Sequence, residues 1–139
     1  MALTTSIEEV AGRVPITILA LEGELDASNF EGLIEEVRGL YGKGSRHLLL
    51  DLAGLTFIAS SGLVALHSIV RTMRGEPAPD LDSGWDALHS LGLDVSAGAT
   101  QSEVQLAAPQ AAVARVIQRT GLDRLFTVHP DRASAIAAF

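Results

Sequence analysis

The chain has 139 residues, 47% of them apolar but only 4% aromatic, with a formal net charge of −7 and no cysteine. That length suits one domain with an aliphatic core. The missing cysteines exclude disulfides and thiolate metal sites, and the acidic balance argues against nucleic acid, since no basic surface is available to meet phosphates. No apolar run approaches the ~20 residues of a membrane span, and the N-terminus lacks the basic-plus-apolar form of a signal peptide. The expectation is a soluble, cytoplasmic protein without direct membrane insertion.

Leu3 to Val10 alternates weakly, and Ala11-Gly12-Arg13 breaks the pattern. Val14 to Glu22 is a stronger strand, with Ile16, Ile18 and Ala20 on one face and Thr17, Leu19 and Leu21 on the other. Apolar residues on both faces predict an interior strand. Pro15, lacking an amide, belongs at its start. The two segments read as an antiparallel pair. Gly23-Glu24-Leu25-Asp26 ends the second strand, and Ser28 or Asp26 is placed to cap a helix. Phe30, Leu33, Ile34, Val37 and Leu40 are its inward stripe, and Tyr41 to Ser45 closes it with Gly42 and Gly44.

Arg46 to Asp51 is the next strand. A short connection follows, with Gly54 as breaker and Leu55, Phe57 and Ile58 as apolar anchors. Ala59-Ser60-Ser61-Gly62 then opens a helix whose apolar positions are Leu63, Leu66, Val70 and Met73. A serine pair at a helix entry can do two things. Ser60 can accept hydrogen bonds from the first-turn amides, while Ser61 lies where unpaired N–H groups and the helix dipole favour negative charge. The plain alternative is that both serines only cap the helix. Strand, helix, strand, helix in this rhythm implies parallel pairing. Asp26 and the Ser60-Ser61 turn then share the C-terminal edge of the sheet, where α/β proteins place sites. On chemistry alone Asp26 reads equally as a loop carboxylate.

From Gly75 to Ala114 there is no lysine or arginine, and six acids fall there: Glu76, Asp80, Asp82, Asp86, Asp94 and Glu103. Residues 75–102 read as an acidic insertion, with Ser83 and Asp86 resembling a capping box and Trp85, Leu88 and Leu91 as a short helical stripe. It is either a solvated linker or a partner-binding element anchored by Trp85. Glu103 to Ala107 is a strand, and Pro109 stands at a helix start. Ala111 to Thr120 is a helix with Val113, Val116 and Ile117 inward, stopped by Gly121. Thr127-Val128 is a short edge strand, and Pro130-Asp131 opens a last helix, Arg132 to Phe139.

Asp51-Leu52, Phe57-Ile58, Ser60-Ser61 and Gly62-Leu63 stand in the order of a known signature, and Gly23 to Asp26, Thr120 to Phe126 and Ala135 to Phe139 agree with it. The chain resembles the STAS family of anti-sigma factor antagonists. The resemblance covers most of residues 1–139 apart from the insertion. It implies a single α/β domain with a mixed central sheet of about four to five strands and helices mainly on one face. It implies a non-catalytic regulator without cofactor or metal. The unphosphorylated form would bind an anti-sigma factor that is a serine kinase with a histidine-kinase-like ATPase fold. Phosphorylation of Ser61, or of Ser60 as second choice, would end that contact, and a serine phosphatase would restore it. Asp26, Ala59, Ser60, Ser61 and Gly62 are the implied partner-binding residues. The chain departs from the family at Ala59, where an aspartate usually precedes the serine pair, and in the insertion. Both departures favour the rival reading of a non-phosphorylated STAS scaffold or ligand-binding module acting through the insertion.

Other chemistry finds little support. No phosphate loop, dinucleotide fingerprint or zinc spacing occurs. His47, His67, His89 and His129 are scattered, as surface or structural histidines are. The segment Ala59 to Leu63 lacks the Gly-x-Ser-x-Gly elbow of a serine hydrolase.

Overall fold

The computed structural model describes residues 2–76 and 101–139. The acidic insertion, with Trp85 and its capping box, falls largely on 77–100 and so lies outside the described residues. A nine-residue strand β1 (Leu3–Ala11) turns back into β2 (Pro15–Leu25). Helix α1 (Phe30–Gly42) leads to β3 (Leu48–Ile58), and α2 (Ser60–Met73) follows directly. After the insertion come β4 (Val104–Ala107), α3 (Ala111–Arg119), a 3-10 turn (Leu122–Arg124), β5 (Val128–His129) and α4 (Arg132–Ala137).

The strands form one sheet in the order β1-β2-β3-β4-β5. β1 and β2 are antiparallel; every other pair is parallel. Pro15 sits at the first position of β2, as its missing amide requires. Alternation then divides the apolar residues between two faces. Leu19, Leu21 and Leu25 of β2 and Leu48, Leu50 and Leu52 of β3 face α1, α2 and α3 in the main core. Ile16, Ile18, Leu49 and Ala107 face the other way, where Ala135 of α4 and its neighbours Ile136 and Phe139 cover them. Among the described residues, three helices thus lie on one face and the short C-terminal helix on the other.

Of the stripe read from its spacing, helix α1 buries Leu33, Ile34, Val37 and Leu40, while Phe30 at its start is half-buried against the same core. Helix α2 goes further than its stripe: every residue from Gly62 to Val70 is buried, and so is Met73. A helix buried all round is fixed by packing rather than by intrinsic propensity.

β3 departs from the expected strand. It does not stop at Asp51 but continues to Ile58, and Gly54 lies inside it. Two register shifts against β2 account for this: Ala20 pairs with Asp51 but Glu22 with Gly54, and Gly23 pairs with Leu55 but Glu24 with Phe57. Each leaves one extra residue in β3, a β-bulge. Gly54 is needed for close approach, since a Cβ there would stand 3.1 Å from the Leu21 carbonyl oxygen and 3.2 Å from the Glu22 Cα. The second bulge breaks the alternation, so that Thr56 and Phe57 both face outward. Phe57, expected as an anchor, is 50% exposed, whereas Ile58 is buried.

Two glycine substitutions should therefore act in opposite directions. Gly54→Val forces backbone apart and should cost about 1–3 kcal/mol. Gly39→Ala, in the middle of α1 with nothing within 4 Å of the added methyl, should gain about 0.5–1 kcal/mol. Urea denaturation of both variants checks the contrast.

Candidate functional site

The parallel pairing of β2 with β3 brings their C-terminal ends together. Leu25 pairs with Ile58, and the Ala59 amide donates to the Leu25 carbonyl at 2.9 Å. Asp26 and Ala59 therefore leave the sheet side by side, and the strand ends carry Asp26 on one arm and Ser60-Ser61 on the other.

The Asp26 arm is tightly tied. One Asp26 carboxylate oxygen accepts the Ser28 amide at 2.9 Å and the Ser28 hydroxyl at 2.5 Å. The Asn29 side chain accepts the Asp26 amide at 3.0 Å and donates to the Glu24 carbonyl at 2.9 Å. The Asp26 carbonyl accepts the amides of Asn29 and Phe30. The expectation that Ser28 or Asp26 caps α1 is thus corrected. Asn29 is the N-cap and no side chain caps the helix; Asp26 and Asn29 instead stabilise the turn before it. The hydroxyl and then the amide of Ser28 hold the Asp26 carboxyl below the usual carboxylate range.

The serine arm also differs from expectation. The N-cap of α2 is Ala59, in an extended conformation, not Ser60. The Ala59 carbonyl accepts the amides of Gly62 at 2.9 Å and Leu63 at 3.2 Å, so the serines occupy the first two helical positions. No side chain caps the helix, and its first turn holds no acid. Ser60 is exposed; Ser61 and Ala59 are half-buried. Nothing among the described residues ties down either serine hydroxyl. With the backbone already supplying its own turn, both hydroxyls stay open to chemistry at an amide-rich, uncapped helix end.

Gly62 is buried beneath this turn. A Cβ on it would come within 2.6 Å of Ile58 Cγ1 and 2.9 Å of Leu25 Cγ. Its place is in packing: it lets α2 sit directly on the two strand ends. Phe57, one residue before Ile58, adds an exposed ring near the same edge. Its identity as an aromatic in an apolar run hid that exposure; only the outward-facing bulge reveals it. Asp51, at the middle of β3, is taken up by structure, since Nε and Nη2 of Arg132 both donate to its Oδ2, at 3.2 and 2.8 Å. Among the described residues no cluster of acids and histidines is arranged to hold a metal, and no helix is long and apolar enough to cross a membrane.

Residues 8–76, which run from β1 through α2 and contain both arms of the site, match the family model of the STAS domain. The chain belongs to the STAS domain family. Solved structures are similar in fold over most of its length. An anti-sigma factor antagonist from Mycobacterium paratuberculosis is 21% identical at a TM-score of 0.69, over 99% of this chain and 93% of that one. The anti-sigma factor antagonist SpoIIAA in its unphosphorylated form is 16% identical at 0.57, over 96% and 94%. SpoIIAA in its phosphorylated form, a Bacillus cell fate determinant, is 18% identical at 0.59, over 96% and 97%. At these identities the likeness is one of fold. No curated protein matches the STAS chain in sequence.

Two outcomes test this site. Gly62→Ala should lower stability by about 1–3 kcal/mol, because the clash is with packed side chains at the strand ends; chemical denaturation measures it. The depressed Asp26 carboxyl contributes stability above the ordinary carboxylate range, and that contribution is lost as pH falls through its folded value. Asp26→Asn should therefore flatten the loss of stability between neutral and acidic pH, read from denaturation midpoints across that range.

Proposed function

We propose that this STAS domain is an anti-sigma factor antagonist that docks through the edge formed by Asp26, Ala59, Ser60 and Ser61, with Gly62 holding that edge in place. Its partner is an anti-sigma factor that is also a serine kinase of the histidine-kinase-like ATPase fold. The kinase phosphorylates Ser61, with Ser60 the second choice, and so ends the complex; a serine phosphatase restores it. The domain itself is non-catalytic and works in the cytoplasm.

The observation that carries this reading is the open pair of serine hydroxyls on the first turn of a firmly packed helix. A phosphate there adds nearly two negative charges where unpaired amides tolerate them within the domain. The same charges must be desolvated when a partner closes over the edge, and that disfavours the complex. The exposed Phe57 ring supplies apolar contact area beside the charged site. The likeness in fold to anti-sigma factor antagonists supports the partner class.

One observation favours a second reading. Ala59 puts a methyl where the family usually carries a carboxylate, so a contact that could orient the hydroxyl is absent. A constitutive STAS scaffold would keep this fold without the switch.

Incubation with ATP and candidate kinase-type anti-sigma factors, followed by intact-mass and site mapping, separates the two. We expect one phosphate on Ser61, loss of it in Ser61→Ala, and partner binding weakened at least tenfold by Ser61→Asp. Absence of phosphoserine with every such kinase, together with equal binding by Ser61→Asp and the wild type, selects the scaffold.

A further inference from the structure

The strand β1 ends the sheet on one side, and no further strand pairs with its outer edge among the described residues. The Glu24 amide donates to the Ala2 carbonyl, and the Gly12 amide to the Val14 carbonyl. Hydrogen bonding alternates along an antiparallel ladder. With Leu3 opposite Gly23 and Ala11 opposite Pro15, the even-numbered residues bond to β2. The amides and carbonyls of Leu3, Thr5, Ile7, Glu9 and Ala11 therefore point away from the sheet. They have no strand beside them among the described residues.

Edge strands are normally blunted by shortness, proline, lysine or a bulge. β5, at the other edge, has only two residues. β1 has nine, with neither proline nor lysine, and its register with β2 is unbroken. At its centre Ile7 is 51% exposed, one of two large apolar side chains so placed among the described residues.

We propose that β1 pairs antiparallel with β1 of a second copy, centred on Ile7, to give a dimer with one continuous sheet. The occupant follows from the charge pattern. With Ile7 facing Ile7 of the partner copy, Glu8 faces Ser6, Glu9 faces Thr5 and Leu3 faces Ala11, so all nine residues pair and no glutamate opposes another. Sliding toward the C-terminal end sets Glu8 against Glu8 or Glu9 against Glu9, which is unfavourable across a ladder. Sliding the other way shortens the ladder and gives up the isoleucine pair. Glu8 is already engaged by Arg132 on the far face of the sheet. The outward groups of Ile7 and its odd-numbered neighbours satisfy one another in this register, and Ile7 is covered. An edge of this size makes a small interface, so the dimer dissociates on dilution.

Sedimentation velocity of the full chain, over a series from micromolar to millimolar, tests the pairing. The average mass should climb from 14.6 kDa toward twice that value. The amides of Thr5, Ile7 and Glu9 should gain hydrogen-exchange protection in parallel. Ile7→Lys and Ile7→Glu, on an exposed position, should each stay folded by circular dichroism and monomeric throughout. An equal mixture of the two should recover a dimer, because each residue meets its counterpart. A wild type that remains at the monomer mass at every concentration overturns the proposal and leaves the edge to a strand from another protein. A dimer that persists in both variants, or a mixture that stays monomeric, overturns it as well.

Discussion

The site depends on one close approach: the first turn of α2 resting on the ends of β2 and β3. Leu25 and Ile58 are neighbours in the ladder, and Gly62 lies against both with no room for a methyl. The Ala59 amide, bonded to the Leu25 carbonyl, fixes where the helix begins. A larger residue at 62 would lift the turn and move both serines relative to Asp26. Packing density makes such adjustments costly, because neighbours cannot simply flow aside. The helix beyond is buried from Gly62 to Val70, so the serines sit on a closely packed platform. A change of charge there alters a surface and leaves the core alone.

Much of this was legible in the sequence, and the parts that were not share a cause. The stripes of α1, the two-faced apolar pattern of β2 and the β-α-β rhythm are periodic signals, and each predicted its element. Where β3 bulges, periodicity fails. Gly54 looked like a breaker because a glycine in a short apolar run usually ends it; here it serves close strand contact. Phe57 looked like an anchor because it stands in an apolar run. The extra residue at Thr56 shifts the phase, so two consecutive side chains face outward and Ile58 returns to the core. The N-cap was misplaced by one residue for a similar reason. Serine is a better cap than alanine by chemistry, but the backbone leaves the strand at Ala59, and its carbonyl takes the first-turn amides. Tertiary placement outweighed local preference.

The two faces of the sheet are built differently. Among the described residues three helices pack on one face, whereas α4 covers the other and is held by a polar clamp. Arg132 joins α4 to Asp51 of β3 and to Glu8 of β1. Asp51 is largely shielded, and its hydrogen bonds to the guanidinium keep Arg132 firmly protonated. Asp131 caps the same short helix through the Ser134 amide at 2.7 Å. A six-residue helix cannot hold itself together, so cap and clamp do what length cannot. Neither is visible as periodicity, since both partners of the clamp are distant in sequence.

Ala59 has a physical consequence that bears on the proposed switch. A helix with neither a side-chain cap nor an acid in its first turn presents an uncompensated positive end. An aspartate at that place would neutralise part of it before any modification. Without it, a phosphate on Ser61 or Ser60 would meet the full field of the free amides. Such helix-end interactions are worth about 0.3–1 kcal/mol at an exposed site and up to about 2 kcal/mol when partly buried. Burying an imperfectly paired charge in an interface costs several kcal/mol. The second term exceeds the first, so the local gain makes the phosphorylated domain comfortable on its own without rescuing the complex. On that reasoning an alanine at 59 would leave the sign of the proposed switch unchanged.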